Sequence, residues 1–321
     1  MTANPIQWAL DAAGPQAARI ANLYWTFFWV CAVAYVVTIA FLVIAIVKGR
    51  RNAVPDSSMS RERSLARGVT IGGGLTILLL FGLLFSSVAT GSAVGKFGQD
   101  KQNQLEVQVT GHQWWWEITY PDPADSSKII RTANEIHIPV GQPVLVRLAT
   151  RDVIHSFWVP NLHGKRDLIP GRVNKLWIQA DRPGVFRSQC AEFCGLQHAH
   201  MALVVVAQSP TDFDAWKNHE QTPAPDPVTP QQLRGREVFL SLPCVNCHSI
   251  VGVDAYATIG PDLTHLASRP TLGAGMLINN PGNLSGWITN APAIKPGVQM
   301  PPNQMTGQDL NDLLAYLEIL K

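Results

Sequence analysis

The amino-acid sequence predicts three structural parts: a two-helix transmembrane hairpin, an all-β sandwich or barrel, and a small α-helical domain. Two long apolar segments lie near the N-terminus, alternating apolar and polar residues follow, and an apolar stripe of helical period lies near the C-terminus. The chain has 321 residues, of which 46% are hydrophobic and 15% charged. This composition suits a protein that is partly embedded in a membrane and partly exposed to water.

The predicted transmembrane spans cover about residues 23–47 and 69–88, and each is close to the ~20 residues that cross a bilayer as a helix. The loop between the spans is basic, whereas Arg19 is the single basic residue before the first span. The positive-inside rule therefore places the loop in the cytoplasm. The rest of the chain then lies on the extracytoplasmic face. A secretory signal is the alternative for the first span, but no small-residue cleavage site precedes the basic loop. The basic residues of the loop are Lys48, Arg50, Arg51, Arg61, Arg63 and Arg67.

The exported part changes its pattern twice. LEVQVT (105–110) alternates apolar and polar residues, and PVLVRLAT, NKLWIQA and MALVVVAQ repeat the pattern, which predicts an all-β domain. The prolines of HEQTPAPDPVTP (219–230) then predict an extended linker. Leu310, Leu313 and Leu317 form the stripe of a C-terminal helix with Thr306 as its N-cap. The predicted boundaries are 1–94 for the N-terminal segment and hairpin, 95–208 for the β-domain, 209–230 for the linker and 231–321 for the helical domain.

The charge pattern excludes one class of partner. The formal net charge is +2, and it arises from interspersed acidic and basic residues rather than from a basic stripe. Nucleic-acid binding needs such a stripe to neutralise phosphates. No nucleic acid is therefore expected as a partner.

A cluster of soft metal ligands precedes the last predicted strand. CAEFCGLQHAHM brings Cys190, Cys194, His198 and Met201 into one short loop, and His155 lies upstream in RDVIHSFWVP. Thiolate, imidazole and thioether together suit copper, for which a weak Met ligand tunes the potential more than the affinity. A Cys2His2 zinc site and a Cys190–Cys194 disulfide are the alternatives for the same residues.

The helical domain begins with a motif for covalent haem attachment. CVNCHS supplies Cys244 and Cys247 for two thioether bonds and His248 as an axial ligand of the iron. A disulfide or a zinc knuckle is the alternative. The adjacent histidine and the exported setting favour haem c.

A downstream methionine is expected as the second axial ligand, since His/Met coordination favours electron transfer at a raised potential. Met276, Met300 and Met305 compete for this role. Met300 is the predicted ligand because VQMPPN resembles the Met-Pro ligand loop of bacterial cytochromes c. Met305 abuts the start of the last helix, where it suits a hydrophobic staple.

Two further motifs complete a resemblance to a known family. GHQWWWEITYPD (111–122) and RDLIPGRVNKL (166–176), with the hairpin, the soft-ligand loop and the haem motif, resemble subunit II of caa-type haem-copper cytochrome c oxidases. In these subunits a cytochrome c domain is fused to the C-terminus. The resemblance covers nearly the whole chain. It implies a cupredoxin-like Greek-key sandwich after the hairpin and a small all-α cytochrome c domain after the linker.

The resemblance also implies the site residues of a dinuclear copper centre, CuA. Trp114, the first tryptophan after His-Gln, would receive electrons from cytochrome c. Asp167 and Arg172 match a segment that faces subunit I, and the Glu192 side chain would help to bind a magnesium ion there. The implied copper ligands are Cys190 and Cys194 as bridges, His155 with Met201 on one ion, and His198 with the backbone carbonyl of Glu192 on the other.

The implied function is electron transfer in a terminal oxidase. Electrons would pass from cytochrome c or a bc complex through haem c and CuA to haem a of subunit I, where oxygen is reduced to water and protons are translocated. Subunit III and membrane lipid are further implied partners. The implied location is the bacterial inner membrane, with both cofactor domains on the extracytoplasmic face.

Other protein classes would lack part of this pattern. A nitric oxide reductase small subunit would lack the CxxxC loop, and a quinol oxidase subunit II would lack the copper ligands and the haem. A copper-delivery protein would need neither CxxCH nor Trp114. One departure from the family concerns the second span, where a common Glu is replaced by Ala66. Glu62 lies about one helical turn earlier and is the candidate to replace it. Because the family's Glu is absent from its usual position, no proton-path role is assigned to this chain.

Overall fold

The computed structural model describes residues 6–51, 59–98, 105–122, 125 and 128–321. The chain divides into two units, one holding Ala18–Gln99 and the other holding Met1–Ala17 with Asp100–Lys321. The first unit contains the hairpin. The second contains the β-domain and the C-terminal helical domain.

Two helices of 37 residues each form the hairpin, α1 (Pro15–Arg51) and α2 (Met59–Gly95). Both are long and apolar enough to cross a membrane, over Pro15–Arg50 and Glu62–Gly95. The helices run beyond the predicted spans of 23–47 and 69–88 because those spans count only the apolar centre. The flanking residues, such as SRERSLAR, are mostly good helix formers. The centre of the basic loop, residues 52–58, lies outside the described residues.

Ten strands lie among the described residues of the β-domain, and they include all four strands predicted from alternation. Five of the ten strands form one sheet in the order β3-β2-β1-β5-β8, and three others form a second sheet in the order β4-β10-β9. The strands β6 and β7 form a separate antiparallel pair. The bounds are β1 (Glu106–His112), β2 (Trp115–Tyr120), β3 (Ile130–Ala133), β4 (Glu135–Pro139), β5 (Val144–Thr150), β6 (His155–Phe157), β7 (Arg166–Leu168), β8 (Asn174–Ile178), β9 (Gly184–Gln189) and β10 (Ala202–Gln208).

The two larger sheets share one hydrophobic core, which makes the domain a sandwich. Val107 and Val109 of β1 and Trp116 of β2 come from one sheet, and Ile136 of β4 and Val205 of β10 come from the other; all five side chains are fully buried. The pairings of β1 with β5 and of β4 with β10 are parallel, while the other pairings within these sheets are antiparallel. The cupredoxin-like sandwich predicted from the sequence is confirmed.

The segment predicted as a Pro-rich linker, 209–230, is helical over its first half. Helix α3 (Pro210–Glu220) begins at Ser209, whose hydroxyl accepts a hydrogen bond from the Asp212 backbone amide. Proline is tolerated in the first turn of a helix, so Pro210 does not prevent it. Trp216 stacks on His137, with ring centroids 4.1 Å apart, and thereby packs α3 against the β-domain. The extended part covers about residues 221–229, within the stretch 219–230 that the prolines predicted to be extended.

The C-terminal domain is built from three helices, α4 (Pro230–Ser241), α5 (Pro281–Ile294) and α6 (Gly307–Leu317). Phe239 of α4 packs with Leu313 and Tyr316 of α6 in its core. Thr306 caps α6, as predicted, by accepting a hydrogen bond from the Asp309 amide. Two antiparallel pairs of two-residue strands complete the domain: β11 (Ser249–Ile250) with β12 (Ala255–Tyr256), and β13 (Thr271–Leu272) with β14 (Leu277–Ile278).

Candidate copper and haem sites

The soft-ligand loop joins the antiparallel strands β9 and β10 at one end of the sandwich. The Cys190 amide donates a hydrogen bond to the Met201 carbonyl at 3.0 Å and closes the base of the loop. His155, at the start of β6, reaches the same place from a neighbouring part of the domain. The fold therefore brings residues from positions 155 and 190–201 to one site.

The predicted copper ligands surround two thiol groups. The Sγ atoms of Cys190 and Cys194 lie 3.7 Å apart, and the side chains of both are at most 3% exposed. Cys190 Sγ is 3.9 Å from His155 Nδ1 and 3.2 Å from the Glu192 carbonyl oxygen. Cys194 Sγ is 3.6 Å from His198 Nδ1 and 3.9 Å from Met201 Sδ.

This donor set fits soft metal ions. A disulfide is absent, because the sulfur separation of 3.7 Å far exceeds the ~2.05 Å of an S–S bond. A structural zinc ion takes four ligands, whereas six donor groups converge here. Each thiol has one imidazole and one weaker donor beside it, and thiolate, imidazole and thioether donors together suit copper.

The haem motif occupies a short turn after α4. Cys244 and Cys247 are free thiols, and the His248 amide donates to the Cys244 carbonyl at 3.0 Å. The Nδ1 of His248 lies 2.7 Å from the Pro261 carbonyl, which leaves Nε2 as the nitrogen available to an iron ion. Burial lowers the pKa of His248 and so favours the neutral imidazole that binds metal.

The backbone of Gly260 faces the flat side of His248. A Cβ atom at this position would lie 2.7 Å from Cε1 of the ring, so any larger residue would push the imidazole aside. The His248 ring is thus held by a hydrogen bond at one edge and by backbone against its face. These residues fit a covalently bound haem c.

Comparisons with known proteins match both the β-domain and the C-terminal helical domain. A family model described as the periplasmic domain of cytochrome c oxidase subunit II matches residues 105–208, and a cytochrome c model matches residues 232–321. The cytochrome c oxidase subunit 2 of Alkalihalophilus pseudofirmus is 34% identical over 322 residues, covering 98% of this chain and 90% of the relative. The chain belongs to the cytochrome c oxidase subunit 2 family. It is a subunit II with a fused cytochrome c domain.

Two further relatives match a smaller share of this chain. The subunit 2 of Bacillus subtilis is 32% identical over 267 residues, covering 77% of this chain and 71% of the relative. The crystal structure of the periplasmic domain of subunit II of cytochrome oxidase from Bradyrhizobium japonicum is 30% identical, with a TM-score of 0.35. It covers 38% of this chain and 96% of that chain. The subunit thus forms part of an oxidoreductase complex whose oxygen-reducing site lies in subunit I.

Trp114 connects directly to the copper loop of this subunit II. Its indole Nε1 donates to the Cys194 carbonyl at 3.0 Å, and the Gln113 side chain donates to the same oxygen at 2.7 Å. Gly195 has φ of +112°, and a Cβ there would lie 2.9 Å from the side-chain nitrogen Nε2 of Gln113. Glycine at position 195 therefore allows both donors to reach the Cys194 carbonyl. The Trp114 side chain is 8% exposed.

The two neighbouring thiols shift each other's pKa in opposite directions. A hydrogen bond from Cys194 lowers the pKa of Cys190, and the same contact raises the pKa of Cys194. Burial alone would lower the pKa of His155, but hydrogen bonds to Cys190 and Asp152 outweigh it and raise the pKa. Because a metal binds the thiolate and the neutral imidazole, metal binding at these residues would release protons.

Asp152 is a functional candidate that sequence reasoning missed. Its Oδ1 lies 2.8 Å from His155 Nε2, and its Oδ2 accepts a hydrogen bond from the Gln113 amide at 2.7 Å. A carboxylate behind a metal-binding histidine fixes the ring and its tautomer. The spacing of three residues between Asp152 and His155 is the signal that could have indicated it.

The other predicted residues are placed as follows. Met305 packs against the helical-domain core, consistent with a staple, whereas Met300 lies in the loop between α5 and α6 and is half-buried. The assignment of Met300 as iron ligand stays a prediction. His200 is exposed, as expected of a residue outside the ligand set, and its Nδ1 lies 2.8 Å from Gln197 Oε1. The Glu192 carboxylate forms a salt bridge with Lys165 at 3.1 Å.

Proposed function

We propose that this chain conducts electrons from a donor cytochrome, through its haem c domain and its dinuclear copper loop, to haem a of subunit I. There, in a separate polypeptide, oxygen would be reduced to water with proton translocation. One observation carries the proposal: the Trp114 indole is hydrogen-bonded to the Cys194 carbonyl at one edge and packs against the haem domain at the other. A Cβ placed at Gly297 would lie 3.1 Å from the six-membered ring of Trp114.

The two sites supply one-electron chemistry when they are loaded. Copper held by thiolates and imidazoles exchanges single electrons between two valence states, and haem c with His/Met ligation does the same at a raised potential. The protein holds the donor atoms in place beforehand. Buried thiols and a histidine fixed by Asp152 leave little freedom to rearrange, and a rigid site favours fast electron transfer.

The division of ligands between two copper ions follows from the family resemblance. We assign Cys190 and Cys194 as bridges, His155 with Met201 to one ion, and His198 with the Glu192 carbonyl to the other. The proposed magnesium ion at the Glu192 carboxylate would share that group with Lys165, whose Nζ also lies 3.9 Å from Asp167.

The surface beside Glu192 supports docking to subunit I. Phe193 is 75% exposed and Val173 is 57% exposed, and they neighbour Glu192 and Arg172 in the chain. Exposed apolar residues flanked by charges are typical of a protein interface. Subunit III, membrane lipid of the bacterial inner membrane, and cytochrome c or a bc complex as donor complete the proposed setting.

The copper assignment is tested by electron paramagnetic resonance of the purified full-length protein. We expect the hyperfine pattern of one unpaired electron shared by two copper nuclei. His198→Ala should abolish this pattern, whereas His200→Ala, a matched change two residues away on the exposed side, should keep it. The pattern of an isolated copper ion, or colourless binding of zinc alone, would refute the dinuclear assignment.

A further inference from the structure

A lysine that neither site uses connects the C-terminal helical domain, called the haem domain below, to the β-domain, called the copper domain below. Lys295 follows α5, and its side chain is 1% exposed. Its Nζ donates to three backbone carbonyls, those of Trp114 at 2.9 Å, His200 at 2.7 Å and Gly273 at 2.7 Å. The first two carbonyls belong to the copper domain and the third to the haem domain.

This arrangement satisfies the lysine completely. An ammonium group has three N–H donors, and each of them meets a carbonyl. Burial lowers the pKa of Lys295 to about 7. A buried amine of this kind is held in place only while both domains supply their carbonyls.

The contacts around Lys295 form a continuous interface. The Gln197 side chain donates to the Pro296 carbonyl at 2.9 Å, and the Ala202 amide donates to the Ala274 carbonyl at 3.0 Å. Val298 packs against the core of the copper domain. Gly297, with φ of +89°, brings its backbone against the Trp114 ring, where a Cβ would come within 3.1 Å of two ring carbons.

We propose that Lys295 is a positioning residue that locks the haem domain onto the copper domain in one pose, in which residues 295–298 cover Trp114 and close it to soluble donor proteins. In this pose the loop that leads to Met300 lies directly on the indole that touches Cys194. The proposal rests on the proposed function only in treating Trp114 as the point where electrons enter the copper site. The lock itself can be tested without any measurement of electron transfer.

The test separates the two domains by cutting the linker of the full-length haem-loaded and copper-loaded protein. A protease site is inserted between Pro225 and Asp226, which are both exposed, and the cleaved protein is passed over a gel-filtration column. We expect the haem to stay with the copper-bearing part. Lys295→Met should weaken retention by at least about tenfold, because three backbone carbonyls at the interface lose their hydrogen-bond donor.

Lys321→Met is the matched control, since it makes the same substitution at an exposed lysine of the haem domain. It should leave retention unchanged. Release of the haem domain from the unsubstituted protein, or equal retention by Lys295→Met and the control, would overturn the proposal. Copper and haem spectra of every variant show whether each site holds its cofactor. An error in the proposed copper and haem sites would therefore appear as a missing cofactor, whereas an error in the proposed lock would appear in the retention of the haem domain.

A second measurement leaves Lys295 in place and so decides the matter if Lys295→Met misfolds. Amine acetylation of the intact protein is followed by peptide mass spectrometry. Lys321 should react readily, and Lys295 should be protected. Val298→Asp, which introduces a charge into the interface, should raise the reactivity of Lys295 toward that of Lys321. Rapid acetylation of Lys295 in the unsubstituted protein, or continued protection in Val298→Asp, would contradict the lock.

Discussion

The indole nitrogen of Trp114 donates a hydrogen bond to the carbonyl oxygen of Cys194 at 3.0 Å. The ring thus touches the backbone of a proposed bridging ligand. Trp114→Leu should slow electron transfer from haem c to copper by at least tenfold, equivalent to about 1.4 kcal/mol of barrier, because the ring and its hydrogen bond are both lost. Flash reduction of the haem, followed at the copper absorption band, measures this rate. Trp115→Leu, in the same motif but stacked on His112, should transfer electrons at nearly the original rate.

Asp152 should control copper affinity through His155. Asp152→Ala removes the carboxylate 2.8 Å from His155 Nε2 and leaves the ring free to turn, which should weaken copper binding by about 10–100-fold. Competition with a chelator measures the affinity. Asp181→Ala, at an exposed position of the same domain, serves as the control. Equal affinities in the two variants would show that Asp152 does not position the ligand.

Met300 should complete the coordination of the haem iron. Met300→Leu should open one axial position, so that the reduced haem binds carbon monoxide, whereas the unsubstituted protein should not bind it. Met276→Leu should behave like the unsubstituted protein. Met305→Leu should keep the closed coordination and lower only the unfolding temperature, because Met305 packs against the domain core. Carbon monoxide binding by Met305→Leu instead would reassign the ligand.

Two buried groups of β4 should give the β-domain opposite pH dependences. Burial raises the pKa of Glu135 from 4.5 to about 7, an effect that Arg269 partly offsets, and it lowers the pKa of His137 from 6.5 to about 4. Folded Glu135 therefore retains a proton that the unfolded chain has released, so its contribution to stability falls as pH rises from 4.5 to 7. The contribution of His137 rises as pH increases from 4 to 6.5, because the folded state holds it neutral.

The Glu135→Gln variant isolates the first contribution. The free energy of unfolding of the original protein, relative to that of the variant, should fall by up to about 3 kcal/mol between pH 4.5 and 7. Thermal unfolding of both proteins in detergent across this range measures the difference. A difference that stays constant with pH would mean that Glu135 titrates at its ordinary pKa in the folded protein.

The sequence predicted those features that rest on local patterns. Alternation placed β1, β5, β8 and β10, and the soft-ligand loop and CxxCH are contiguous motifs whose ligand types identify their chemistry. Lys295 gave no such signal, because its partners are backbone carbonyls at positions 114, 200 and 273, which only the tertiary structure brings together. Helix α3 was missed for a similar reason. Its stability depends on Trp216 meeting Tyr120 and His137 across the fold.

Helix α3 also decides where the haem domain can be removed. A chain stopped after Pro210 would lose Trp216, whose ring lies 4.1 Å from His137 and 5.2 Å from Tyr120. Its β-domain should therefore unfold at a lower temperature. A chain stopped after Gln221 keeps α3 and should retain the copper spectrum and assemble with subunit I. Comparison of the two unfolding temperatures tests the contribution of α3.

The chain stopped after Gln221 should also change how electrons reach the copper. In the full-length protein we expect the tethered haem domain to act at an effective concentration in about the millimolar range, so that soluble donors meet it first. Without that domain, Gly297 no longer covers Trp114, and a soluble cytochrome c must find the copper domain by diffusion and electrostatic steering. Oxygen uptake by the assembled oxidase should then depend strongly on added cytochrome c and on ionic strength. Superimposable titrations of the full-length and shortened enzymes would show that the attached haem lies off the main electron path.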